Sequence, residues 1–188
     1  MTGRDALLER AIEHLSAAGV GAISLRGLAQ QLGTSHRMLI YHFGSREGLL
    51  AAVVAEVERR QRELLPQMID PDRPTIDQSL AFWQAVVEAS ERHGRLFFEL
   101  AAHAMQDQPH ARPLRRGLID PWLAPLEDFC RQLGVPEDQC ARTARMTMGT
   151  ARGLLFDLLL TGDHAEVDAA ALQLNELLLI IARVSPKA

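Results

Sequence analysis

Cysteine is scarce in this chain: Cys130 and Cys140 are the two among 188 residues. They are not spaced as C-x-x-C and no secretion signal stands ahead of them. This excludes a disulfide framework and makes them reduced thiols in or near a core. Aromatics make up only 5 % of residues, with one tyrosine and two tryptophans. No apolar run approaches the roughly 20 residues of a membrane span, and no apolar signal segment opens the chain. The expectation is a cytoplasmic protein with no membrane partner. The motifs H-E-x-x-H, G-x-S-x-G, G-x-x-x-x-G-K and G-x-G-x-x-G are all missing. No catalytic residue and no cofactor is therefore expected, and the chain reads as something other than an enzyme. The seven histidines are scattered. His103, Asp107 and His110 alone resemble a ligand set, but Pro109 breaks any shared helix face. Surface placement is expected there, with no metal site.

A further absence is local: no acidic residue occurs between Ser24 and Ser45. The net charge of −4 hides this asymmetry. Residues 1–50 hold five arginines against four acidic residues, whereas the remainder holds fifteen basic against twenty acidic. The local field of a patch, not the chain total, decides attraction to phosphate. Within this stretch Leu25, Leu28, Ala29 and Leu32 recur at the i, i+3, i+4, i+7 spacing of one helix face. Ser24 stands where a hydroxyl caps free backbone N–H groups, and Gly33 stands where helices stop. Thr34 and Ser35 then lead into a second short helix, His36 to Phe43. Two helices joined by a short turn containing glycine form a helix-turn-helix, whose second helix enters the major groove of DNA. Leu39 and Phe43 can face inward, leaving His36, Arg37, Tyr41 and His42 outward, with the chemistry for phosphate oxygens and base edges.

Residues 7–50 resemble the DNA-binding region of TetR-family transcriptional regulators. The resemblance rests on Ser24, Leu28-Ala29, Gly33, Ser35, Phe43, Ser45, Glu47 and Leu49. The chain departs at Ile40, where that family usually has Tyr, and at Arg46, where it usually has Lys. Arg for Lys keeps the charge but changes the hydrogen-bond geometry. The resemblance implies an all-α fold of about nine helices: a helix-turn-helix DNA-binding domain at residues 1–48, with a linking helix from 45, then an effector-binding and dimerisation domain at 49–188. Its partners would be a palindromic double-stranded operator, a small-molecule effector of unknown identity and a second copy of the chain. The expected DNA contacts are Ser24, Thr34, Ser35, His36, Arg37, Met38, Tyr41, His42 and Arg46. A repressor, released from DNA by its ligand, is the leading reading. The alternative is a helix-turn-helix dimer with a solid core and no effector.

In chain order, a first helix spans residues 2–18, with Thr2 and Asp5 at capping-box spacing and Gly19 and Gly21 closing it. Ala6, Leu7, Ala11, Ile12 and Leu15 form its buried stripe. Ser45 caps a fourth helix with Leu49, Val53, Val54, Val57 and Leu64 as its apolar positions. Gly48 leaves that capping box incomplete, and the charged run from Glu56 to Glu63 reads as a solvated face. Pro66, Pro71 and Pro74 mark a loop. Thr75 and Gln78 suit a further capping box, His93-Gly94 predicts a break, and Pro121 with Pro125 predicts a kinked or split helix.

The last two helices are distinctive. Gly149 and Gly153 allow close approach by another helix, and Phe156 lies on the same stretch. Leu174, Leu177, Leu178 and Ile181 belong to a final helix apolar over much of its circumference. Such a helix must be covered on more than one side. These seven residues are the expected interface of a two-fold dimer, since half-sites about 34–36 Å apart call for a symmetric partner. The middle of the chain is rich in aromatics and sulfur. An effector cavity there would use Trp83, Phe98, His103, Trp122, Phe129, Met146 and Thr150.

Overall fold

The computed structural model describes residues 3–18, 24–70 and 75–184. Among these the chain is all-α, in nine helices: α1 (Gly3–Ala18), α2 (Leu25–Gln31), α3 (His36–Phe43), α4 (Arg46–Met68), α5 (Ile76–Met105), α6 (Leu114–Gly117), α7 (Asp120–Gln132), α8 (Glu137–Thr161) and α9 (His164–Val184). The expected Thr2 cap, the stop at Gly19 and Gly21, and the loop prolines Pro71 and Pro74 lie outside the described residues.

Three serines start three successive helices. Ser24 Oγ accepts from the Gly27 N–H at 3.1 Å, Ser35 Oγ from Met38 at 3.2 Å, and Ser45 Oγ from Gly48 at 2.9 Å. Each satisfies a backbone donor that the first helical turn leaves unpaired. Gly44, at φ 76°, ends α3 in a conformation that L side chains rarely adopt. Gly48 has a different reason to be glycine. A Cβ there would sit 2.1 Å from the Phe43 carbonyl oxygen, so the α3–α4 turn leaves no room for the acidic residue of a complete capping box. The box at Thr75 and Gln78 is complete, each side chain accepting from the other's backbone N–H at 3.2 Å.

Two expected interruptions are absent. The helix α5 runs unbroken for 30 residues through His93-Gly94. One internal glycine costs only about 1 kcal/mol against alanine, and Val87, Leu96 and Leu100 are buried on either side of it. The helix α7 is not split either. Pro121 occupies its first turn, where no backbone donor is needed, and Pro125 lies inside it. Losing one backbone bond is offset by the burial of Trp122, Leu126, Phe129 and Cys130.

The chain forms two compact units, residues 1–59 with 91–118, and residues 60–90 with 119–188. The division differs from a single cut after residue 48, because the second half of α5 and α6 belong with the first unit. In the first unit Leu7, Ala11, Leu15, Leu28, Leu32, Leu39, Leu49, Val53, Leu96 and Leu100 share one core. In the second, Leu65, Trp122, Leu126, Phe129, Cys130, Cys140, Met148 and Leu178 share another. Both cysteines are free and buried. Burial, helped by the neighbouring Cys140, pushes the Cys130 thiol up to about 12, so it stays protonated and inert.

Candidate functional site

The first unit presents α3 to solvent on one side. Leu39 is 0 % exposed and anchors the helix, with Phe43 packed against the same core. Arg4 of α1 lies over the Phe43 ring, 5.1 Å from its centre. On the opposite side His36, Arg37, Met38 and Ile40 are exposed, and Tyr41 is 79 % exposed. The Tyr41 and His42 rings meet edge to face at 4.9 Å. Ser24 and Ser35 spend their hydroxyl acceptors on helix caps but remain exposed, and Thr34 is half-buried in the turn between α2 and α3. Arg46 opens α4 directly after this surface. The result is a row of donors on one short helix with no carboxylate in it, suited to an anionic polymer.

The second unit contains a cavity of about 110 Å³ that opens to solvent. Its walls come from α4 (Gln61, Leu65), α5 (Ser79, Phe82, Trp83, Val86), α7 (Trp122, Leu126, Phe129), α8 (from Thr147 to Leu155) and α9 (Ala171, Leu174, Asn175, Leu178). Trp83 is fixed by donation from its indole N–H to Asp168 at 2.8 Å. Phe82 packs against Trp122 at 6.4 Å. The Arg62 and Arg152 guanidiniums each lie 5.9 Å from the Trp122 ring centre.

Residues 7–53 match the family model described as bacterial regulatory proteins, tetR family. The chain carries a TetR-family regulatory domain. Over 104 residues it is 26 % identical to the nucleoid occlusion factor SlmA of two Vibrio vulnificus strains, covering 54 % of this chain and 53 % of the relative. The chain thus spans about half the length of the curated relatives it matches. Among solved structures it is similar to a TetR-family regulator from Rhodococcus sp., with a TM-score of 0.68 and 23 % identity over 94 % of this chain and 98 % of the other. It is also similar to the multidrug binding protein EbrR complexed with imidazole, with a TM-score of 0.63 and 21 % identity over 98 % and 92 % of the two chains. These structures share the fold across both units, beyond the TetR-family domain itself.

The cavity redistributes the expected effector residues. Trp83, Trp122 and Phe129 line it. Phe98 and His103 do not, and belong to the first unit. Met146 and Thr150 also miss it, because the inward face of α8 carries Thr147, Met148, Ala151 and Leu155, leaving 146 and 150 exposed. Gln61 was hidden in a charged run that reads as solvated. Val54, Glu58, Gln61 and Leu65 are all buried, and their i, i+4, i+7, i+11 spacing is one helix stripe. Leu65 thus takes the inward place expected of Leu64, which is exposed.

The expected dimer residues divide similarly. Gly149, Gly153 and Phe156, the last 50 % exposed, lie on the outer face of α8, and a Cβ on either glycine would meet nothing within 4 Å. Leu177 is exposed on α9, together with Ile180. Leu174 and Leu178 instead line the cavity, with Leu178 only 1 % exposed, and Ile181 packs against the core. The outer stripe of α9 therefore passes through 177 and 180, one helical step from 174, 178 and 181.

His103 and His110 do come together despite Pro109, with Nδ1 and Nε2 3.1 Å apart. The chain reverses at Asp107, whose φ is 57°, and the Asp107 carboxylate accepts from Arg112 and Arg115. Among the described residues no group of three or more potential ligands could hold a metal ion, and no helix is long and apolar enough to cross a membrane.

Proposed function

We propose that the chain is a ligand-responsive DNA-binding transcriptional regulator, a repressor that two copies place on a palindromic operator. The observation that carries this reading is the outward display of His36, Arg37 and Tyr41 on a helix whose Leu39 is wholly buried. That arrangement lets α3 lie in a major groove while its anchor holds it to α1, α2 and α4. Residues 1–48 act as the reading head and Arg46 as a phosphate clamp at the start of α4. The second copy docks along the outer faces of α8 and α9, through Gly149, Gly153, Phe156, Leu177 and Ile180, where apolar side chains meet solvent in the single chain.

The cavity is the effector site. Its walls include Gln61 and Leu65 of α4, and the same helix carries Leu49 and Val53 of the reading-head core. Ligand binding shifts the population towards an arrangement of α4 that no longer fits the operator. A 100-fold loss of DNA affinity requires about 2.7 kcal/mol of differential binding. The cavity favours this reading over a regulator with a solid core. Selection of bound duplexes from random DNA, repeated with metabolites of a cell extract, tests it. Enriched palindromes that the extract releases are expected; a pool without enrichment would contradict DNA reading, and a pool indifferent to extract would favour the solid-core regulator.

A further inference from the structure

The polar groups on the cavity wall are few, and most are already used. Ser79 donates its hydroxyl to Asn175 Oδ1 at 2.6 Å, Asn175 Nδ2 donates to the Ala171 carbonyl at 2.9 Å, and Thr147 donates to the Thr143 carbonyl at 2.9 Å. Gln61 differs from all of these. It is 7 % exposed and lines the cavity, its amide makes no hydrogen bond to the described residues, and neither of its polar atoms is a buried one left unsatisfied, so the amide meets solvent in the cavity. A ligand that hydrogen-bonds it takes the place of that water. Arg152, which also lies over the Trp122 ring, adds a guanidinium to the wall; it carries five donors, and a carboxylate needs two of them. No aspartate or glutamate lines the cavity. The remaining surface is chiefly the aromatic and aliphatic body of Phe82, Trp83, Trp122 and Phe129 with neighbouring leucines.

We infer that the cavity binds a small hydrophobic carboxylic acid, its aryl or branched aliphatic body against the tryptophans and its carboxylate held by Arg152 and Gln61. The inference rests on the reading of this cavity as the effector site and adds the charge and class of the effector. An ammonium compound would find a cation and no counter-charge on the wall, and a neutral amide would forgo the charge-assisted bond.

The test uses the full chain and three probes of one shape: 4-phenylbutyrate, 4-phenylbutanamide and 4-phenylbutylamine. Both tryptophans of the chain, Trp83 and Trp122, line the cavity, so their fluorescence reports occupancy directly. The acid is expected to bind about tenfold or more tighter than the amide, with the amine weakest. Arg152→Gln is expected to bring the acid to the level of the amide, and Gln61→Leu to weaken acid and amide together, circular dichroism confirming the fold of each. An amine that binds as well as the acid, an acid preference that survives Arg152→Gln, or no binding by any probe at millimolar concentration would overturn the inference. The ranking on the unmodified chain decides even where a variant does not fold. No DNA is present in the titration, so failure of the regulator reading shows separately, as absent duplex binding with probe binding intact.

Discussion

The recognition helix and the cavity are opposite solutions to binding. The helix α3 projects polar side chains from a convex surface and buries only what anchors it, Leu39 and part of Phe43. The cavity turns mostly apolar side chains from five helices inward, with few polar groups among them, Gln61 and Arg152 included. The first surface depends on charge attraction that salt screens; the second depends on area withdrawn from water, which salt hardly weakens. On the proposed reading, one chain would hold DNA and sense an organic molecule without either site interfering chemically with the other.

That contrast can be broken most severely at the anchor. Leu39→Ala should cost about 2–5 kcal/mol of stability, seen as an earlier denaturant midpoint, and should lower DNA affinity while probe binding in the cavity persists. A variant with unchanged midpoint would show that α3 is not held by this side chain. Next in size, Arg37→Ala should weaken operator binding by roughly 1–3 kcal/mol and relax base preference at one position. Arg46→Ala should weaken all sequences evenly and lower the salt slope by about one. Binding titrations on matched and mismatched duplexes separate these two outcomes, and uniform weakening by Arg37→Ala would make Arg37 a phosphate contact. Leu177→Glu should turn the dimer into monomers by sedimentation, while Leu178→Glu should unfold the second unit, since Leu178 lies inside it. A folded dimer carrying glutamate at 177 would move the interface elsewhere.

The smallest effect is electrostatic. Burial, with Arg92 nearby, holds His93 below its ordinary 6.5. The unfolded chain therefore takes up a proton near pH 6.5 that the folded chain refuses, and stability falls as pH drops below that value until the folded group also titrates. His93→Gln should remove this part of the acid sensitivity in urea melts at pH 7.5 and 5.5. An unaltered difference between the two would assign it to other groups.

The reading head was legible because its determinants are consecutive. Three serine caps, a glycine stop and the inward Leu39 are all decided within a few residues of α2 and α3, and the structure places them accordingly. The cavity was only half legible. Trp83, Trp122 and Phe129 announce themselves by size, but which face of α8 turns inward is set by its packing against α7 and α9, and spacing alone does not show that Met146 and Thr150 are exposed while Leu174 lines the cavity. Gln61 was missed because charge dominates its neighbourhood, although the buried stripe through Val54, Glu58, Gln61 and Leu65 follows a plain helical period. Gly48 shows the limit of motif reading: its absent side chain is dictated by the Phe43 carbonyl, a contact no capping rule contains.

Whether α3 reads a duplex is decided by fluorescence anisotropy of a selected palindrome against the full chain, repeated from about 50 to 200 mM salt. Tight binding at low salt is expected, with a steep loss of affinity as salt rises and weaker binding to a scrambled duplex of equal length. A flat salt response, or equal affinity for the scrambled duplex, would rule out reading by α3.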